Sequence, residues 1–199
     1  YLLFNEGYSA SGGEAHVRAA LCDEAIRLSR LLLKLFQAEP EIAGLTALML
    51  LQHARTPARL DDDGAIVLLE DQDRSRWDGK MIAEGLALID KAMRHRRPGP
   101  YQVQAAIAAL HARARRPEET DWAQIDLLYG TLDMIAPLAD PLAGYFHFHG
   151  LKGGLLLQLG RRNEAREAFD RAIALAHTAA EAAHIRMHLD RLMAESTRG

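Results

Sequence analysis

The sequence predicts an all-α protein of stacked antiparallel helical hairpins, and three observations carry that prediction. Apolar residues recur at three- and four-residue intervals through most of the 199-residue chain. Only Ala65 to Leu69 has the apolar, β-branched content of a strand, and a lone strand has no partner for its backbone groups, so this stretch reads as an extended segment laid across helices. Small residues at Gly153, Ala165 and Ala172, with Leu156 and Phe169 between them, mark two short helices that close where side chains are small.

The elements follow in order. Ser11-Gly-Gly-Glu14 is a capping-box start, and Leu21, Ala25, Leu28, Leu32 and Leu35 then define a long helix over about 14–37. Pro40 suits a first helical position, and Leu45, Leu48, Met49 and Leu51 give a second helix that runs until Pro57 and packs antiparallel to the first. Asp61-Asp62-Asp63-Gly64 is a turn signal before the extended segment at 60–72. Ile82, Leu86, Ile89 and Met93 mark the next helix, ended by the basic run Arg94 to Arg97 and by Pro98-Gly99-Pro100. Val103, Ile107, Leu110 and Ala114 define another, and Ile125, Leu128, Leu132 and Ile135 one more, with Thr120 and Asp121 as its caps. Asp140-Pro141 opens the small-residue hairpin, Gly160 is its turn, and a closing helix spans about 179–194 with Ile185, Leu189 and Leu192 inward. The predicted domains are 1–136, an N-terminal helical region, and 137–199, the hairpin plus closing helix.

Bulk properties narrow the function. The net charge of -3 argues against a nucleic-acid-binding surface over the whole molecule, because phosphate binding needs a concentrated basic field. No run of 18 apolar residues exists, and the single Cys22, set among apolar helix positions, suggests a buried thiol in a reducing cytoplasm. Tyr1-Leu2-Leu3-Phe4 reads like the interior of an apolar helix, so the sequence predicts further chain upstream.

Candidate chemistry is sparse. His147-x-His149 and His184-x3-His188 have metal-like spacing, but no Cys or H-E-x-x-H pattern accompanies them, and the prediction is no metal and no cofactor. Glu70 to Asp78 is the most concentrated polar segment. Its carboxylates beside arginines could do acid–base work, whereas the structural alternative has Asp71 or Asp73 capping a helix, the arginines bridging carboxylates and Trp77 packing beneath. Arg94, Arg96 and Arg97 with Arg113, Arg115 and Arg116 form one basic face if their helices are neighbours, and helix-end charge in solvent otherwise. No catalytic residues are assigned. The candidate interaction surface comprises Asn5, Glu6, Tyr8, Glu70, Asp71, Asp73, Arg74, Arg76, Trp77 and Tyr101, with Tyr145 a further aromatic anchor.

Two resemblances sharpen this reading. Gly153 to Ala176 resembles the tetratricopeptide pattern, which implies a right-handed array of hairpins of the kind that holds other macromolecules. Tyr1 to Ala10, Leu68 to Asp78, Gly99 to Ala108 and Thr120 to Ile125 together look like the C-terminal extension of bacterial extracytoplasmic-function sigma factors that carry a tetratricopeptide-like domain. In that family the helices that bind core polymerase and read promoter DNA lie upstream, so none of those residues carries over. The family continues after the equivalent of Ala136-Pro137 with a further helix, whereas here only Pro137, Leu138 and Ala139 lead to Asp140; residues are expected to be missing from that span.

The leading expectation is therefore a non-catalytic regulatory domain of a sigma factor in transcription initiation. Its partners would be RNA polymerase core and the protein's own sigma region, or a regulatory protein, with no direct DNA binding by this part and no membrane. The alternatives are a small-molecule sensor or enzyme centred on Glu70 to Asp78, and a dimerisation module.

Overall fold

The computed structural model describes residues 1–8, 15–135, 146–176, 182, 185–187 and 189–190. These are mostly helical: α1 (Leu2–Tyr8), α2 (Ala15–Leu35), α3 (Pro40–His53), α4 (Gly79–Met93), α5 (Pro100–Arg113), α6 (Trp122–Ile135), α7 (Phe146–Gln158) and α8 (Arg162–Leu175), with three short 3-10 turns. Among the described residues the only strand-like pairing is one antiparallel bridge between Leu60 and Ile66, so the fold class is all-α, as the periodicity predicts. Ser11 to Glu14, the Pro137–Asp140 connection, Tyr145 and most of the closing helix lie outside the described residues.

The chain divides into two compact units, 1–121 and 122–199. This division falls before α6, earlier than the 136/137 boundary read from the sequence, because α6 packs on α7 and its Asp126 pairs with Arg161 at 3.4 Å.

In the first unit α3 is the central element. Pro40 opens it, and its buried residues fall on every side: Ala43, Gly44, Thr46, Ala47, Leu48, Met49, Leu50, Leu51 and His53. A helix apolar all round is one surrounded by others. One apolar cluster joins Ala47, Leu48 and Leu51 to Ile89 and Ala92 of α4 and to Ala105 and Ala109 of α5. A second joins Met49 and Leu50 to Phe4 of α1 and to Cys22, Ala25 and Ile26 of α2. The thiol of Cys22 is 2% exposed and hydrogen-bonds the Phe4 carbonyl at 3.6 Å, and burial first of all pushes its pKa up to about 11. Helices α3 and α5 come so close that a Cβ on Gly44 would stand 2.7 Å from the Gln102 amide nitrogen.

Each helix start has a local reason. The Asp78 carboxylate accepts from the amides of Lys80 and Met81 at 2.8 and 3.0 Å and so begins α4. Helix α5 begins at Gly99-Pro100 with no capping side chain of its own, and Glu41 of α3 supplies one. Its carboxylate accepts from the Tyr101 amide at 3.1 Å, the Gln102 amide at 3.0 Å and the Gln102 side chain at 3.1 Å.

In the second unit α7 and α8 form the hairpin expected from the small residues. Gly160 makes the turn at φ +72°, a left-handed conformation that favours glycine. Ala165, Phe169 and Ala172 are fully buried with Leu156 and Ile185, and the Phe169 ring lies on Gly153, where a Cβ would come within 2.5 Å of it.

Candidate functional site

Beyond the end of α3 the chain makes a short 3-10 turn at Thr56–Ala58 and then a small loop in which the Asp61 carboxylate accepts from the amides of Asp63 and Ala65. That path projects Arg55 and Arg59 toward the end of α1. The Arg55 guanidinium donates to the Tyr8 hydroxyl at 2.9 Å; Arg59 donates to the Tyr8 carbonyl at 2.8 Å and lies 3.7 Å above the ring. Burial pushes the Tyr8 hydroxyl pKa up, but the Arg55 and Arg59 charges outweigh it and hold the group below its ordinary value.

The polar segment after Leu68 is organised around the helix ends it touches. Asp73 accepts from the Ser75 amide at 2.9 Å and the Ser75 hydroxyl at 2.7 Å, which caps the turn Arg74–Arg76 and keeps the carboxylate below its usual range. Arg74 turns inward and donates to the carbonyls of His111 and Ala114, each at 2.6 Å, so it closes the C-terminal end of α5. Its guanidinium lies 5.0 Å from the Trp77 ring centroid, and Trp77 is only 8% exposed. Of the three structural roles read from the sequence, Trp77 packing is found, Asp73 caps the 3-10 turn while Asp78 caps the helix that follows, and Arg74 bridges helix carbonyls rather than carboxylates.

His111 sits against this clamp. Burial chiefly, and then the charges of Arg55 and Arg74, depress its pKa from 6.5 to about 3. A histidine neutral in the fold but free to protonate when unfolded adds stability that is complete above pH 6.5 and is lost as the pH falls toward about 3. Urea midpoints measured from pH 7 to pH 4 are expected to fall more steeply for the parent than for His111→Gln. Parallel curves would contradict the assignment. Replacing Arg74 by Met, which keeps the apolar stem but removes the clamp, is expected to destabilise the first unit by about 1.5–3 kcal/mol in urea unfolding; an unchanged midpoint would show that the clamp contributes nothing.

The predicted interaction surface is thus brought together only in part. Tyr8, Arg74 and Trp77 share the neighbourhood of Arg55, whose charge acts on both Tyr8 and Arg74. Tyr101 lies with the opposite end of α1, its ring edge-on to Tyr1 at 5.5 Å. Glu6, Asp71, Asp73 and Arg76 are exposed, Asn5 and Glu70 half-buried, and Trp77 is buried and unavailable as an exposed anchor. Of the basic residues near 94–97 and 113–116, Arg113 pairs with Asp90 of α4 at 2.7 Å and Arg116 with Glu119 at 3.8 Å. Sequence reasoning missed Arg55, Arg59, Glu41 and His111. The one signal available was that Arg55 has no carboxylate within five residues, so its charge had to be met from afar.

His53 links two helices, its Nε2 3.1 Å from an Asp23 oxygen and its Nδ1 3.2 Å from the Thr56 hydroxyl. Among the described residues no group of three His, Cys, Asp or Glu side chains is placed to hold a metal ion, and no helix is long and apolar enough to cross a membrane. A shallow pocket of about 90 Å³ opens between α2, α3 and α4, lined by Leu33, Gln37, Glu39, Pro40, Ala43, Leu88, Lys91, Ala92 and His95. It has room for one side chain and is far below the roughly 300 Å³ at which sites for drug-sized ligands begin.

Comparison with known proteins places the chain among others. It is 63% identical over 222 residues to a protein of Rhizobium meliloti (strain 1021) described as uncharacterised, a match covering 98% of this chain and 52% of the relative. The chain therefore spans about half the length of that relative. The match is longer than the 199 residues of this chain, so the relative carries residues within it that are lacking here. No solved structure matches. Residues 1–93, from α1 to the end of α4, match the model of DUF6596, a family of unknown function.

Proposed function

We propose that this chain is the non-catalytic C-terminal regulatory and protein-interaction part of a bacterial extracytoplasmic-function sigma factor, with a tetratricopeptide-like arrangement in its second unit. The sigma-factor part of the reading rests on the resemblance of segments 1–10, 68–78, 99–108 and 120–125, and the observation that supports the tetratricopeptide-like part is the α7–α8 hairpin, with its Gly153–Phe169 contact and fully buried Ala165 and Ala172. Asp73 and Arg74 satisfy helix-end amides and carbonyls, which favours a structural role over acid–base chemistry for that segment. The small apolar pocket suits one anchoring side chain of a protein partner better than a metabolite.

In this reading the full-length protein binds RNA polymerase core in the cytoplasm, its upstream regions read the promoter, and this part contacts the sigma region, the polymerase or a regulatory protein. Transcription reconstituted with core polymerase tests it. Full-length protein should bind core and initiate at its own promoter, and removal of residues 1–199 should reduce initiation at least tenfold. The chain alone should bind duplex DNA weakly and without sequence preference. A full-length protein that fails to bind core polymerase would overturn the proposal.

A further inference from the structure

The pocket between α2, α3 and α4 combines an apolar floor with a basic rim. Leu33 and Leu88 form the floor with the buried Pro40, Ala43 and Ala92. Lys91, in the last turn of α4, and His95, just past it, both stand at the pocket. Arg94, Arg96 and Arg97 belong to the same run, so positions 91–97 carry a lysine, three arginines and a histidine and no carboxylate. The run stays close to the pocket at its far end too. The Arg97 carbonyl accepts from the Gln102 side chain, which also donates to Glu41, the residue after Pro40.

These charges are unmet. Among the described residues Arg27, Arg30, Arg113 and Arg161 each pair with a carboxylate, whereas Lys91, Arg94, Arg96 and Arg97, all exposed, pair with none. The C-terminal dipole of α4 accounts for only part of the run, because its attraction fades beyond the last turn and Arg96 and Arg97 lie past Met93. Arg96 adopts φ +51°, the left-handed conformation in which glycine is the usual residue, so a cation stands there at a backbone cost. On the α3 side of the pocket, the helix begins at Glu39-Pro40 without a side-chain cap and leaves the positive end of its dipole uncovered. Glu39 is the one carboxylate among the lining residues.

A hole for one apolar side chain, set in a field of unpaired cations, selects its occupant by chemistry. Nucleic acid would meet the charge but leave the hole empty: no Phe, Tyr or Trp lines it to stack a base, and the chain as a whole carries a net charge of -3. An uncharged apolar peptide would fill the hole and leave the cations unmet. We propose that this end of the first unit binds an acidic segment of a protein partner, one apolar side chain of that segment seated among Leu33, Pro40 and Leu88 and its carboxylates facing Lys91, Arg94, Arg96 and Arg97. The inference rests on the protein-interaction reading given above and adds the partner's chemistry to it; the sigma-factor assignment is not needed.

Selection from random dodecapeptides displayed on phage, with the 199-residue chain as bait, tests it. Enriched peptides should place acidic residues around one Leu, Ile or Met. Alanine at that apolar residue should weaken the Kd of the synthetic peptide at least tenfold, and so, separately, should Lys91→Glu with Arg96→Glu in the protein. Arg76→Glu with Arg171→Glu makes the same change in net charge elsewhere and should leave the Kd within about twofold. All four positions are exposed, and equal melting temperatures of the two double variants and the parent verify the folds. Enrichment of basic or uncharged peptides, or of none, would overturn the proposal. So would equal losses from the two double substitutions, or a single-stranded DNA dodecamer that binds at Lys91 and Arg96 more tightly than the peptides. None of these outcomes involves core polymerase, so this proposal and the sigma-factor reading fail separately.

Discussion

Phe169→Ala is expected to cost the second unit about 3–5 kcal/mol, the largest single loss in that unit. The ring is fully buried among Leu156, Ala165, Ala168, Ala172 and Ile185, and it rests on Gly153. Most of those neighbours are alanine or glycine, whose short side chains cannot swing into the vacated space, so the cavity persists. Against a typical total of 5–15 kcal/mol for a domain, this is enough to unfold the unit over a wide range of conditions. Amide exchange read separately over α8 and over α3 should show the loss in α8 and leave α3 unchanged. A companion change makes the contact itself measurable. Gly153→Ala alone drives a methyl to within 2.5 Å of the ring, yet with Phe169 already truncated the same change should be tolerated. Additive effects of the two would show that the ring does not lie on Gly153.

Gly44→Ala is the corresponding test of the first unit. Alanine is the better helix former by about 1 kcal/mol, so propensity alone predicts a gain. Packing reverses the sign. The new Cβ would stand 2.7 Å from the Gln102 nitrogen and 2.8 Å from its Cα, and backbone atoms of a neighbouring helix cannot rotate away. Relief requires α3 and α5 to separate. That loosens the hold of Glu41 on the first turn of α5, together with the Gln102 side chain, which is fully buried and donates to Glu41 and to the Arg97 carbonyl. A net loss of about 2–3 kcal/mol is expected from urea unfolding. Gly130→Ala serves as the contrast. It lies inside α6 with nothing within 4 Å of an added Cβ, and it should gain stability by roughly 0.5–1 kcal/mol. Equal effects of the two substitutions would rule out the close approach of α3 and α5.

The helices were legible because each carries its own period. Leu21 to Leu35, Ile82 to Met93 and Val103 to Leu110 all lie on helices, and Ala114, the last residue of the third pattern, is the C-cap of α5. Pro40 sits at a helix start for a reason visible in the residue itself, its fixed φ, whereas the cap of α4 is Asp78 and not Asp71 or Asp73, several short acceptors in one run being indistinguishable by sequence. What one residue does for a distant one was not legible. Glu41 caps a helix about sixty positions away, and Arg74 reaches carbonyls about forty positions on. Neither partner shares a periodic pattern with the residue that serves it, so both pairings are products of tertiary packing alone. Trp77 is the instructive case. An aromatic inside a charged run reads as a surface anchor, yet the run is charged because it services helix ends, and the indole beneath is walled in by Arg74.

The enclosure of α3 has a practical consequence for mapping what this protein touches. Walls from α1, α2, α4 and α5 all shield one rod, so shortening the polypeptide from either side, anywhere up to Arg113, strips a wall and leaves leucine and methionine bare. Deletion series across this region will report collapse and aggregation in place of lost recognition. Point changes on the outer faces are the only cuts that leave the scaffold standing.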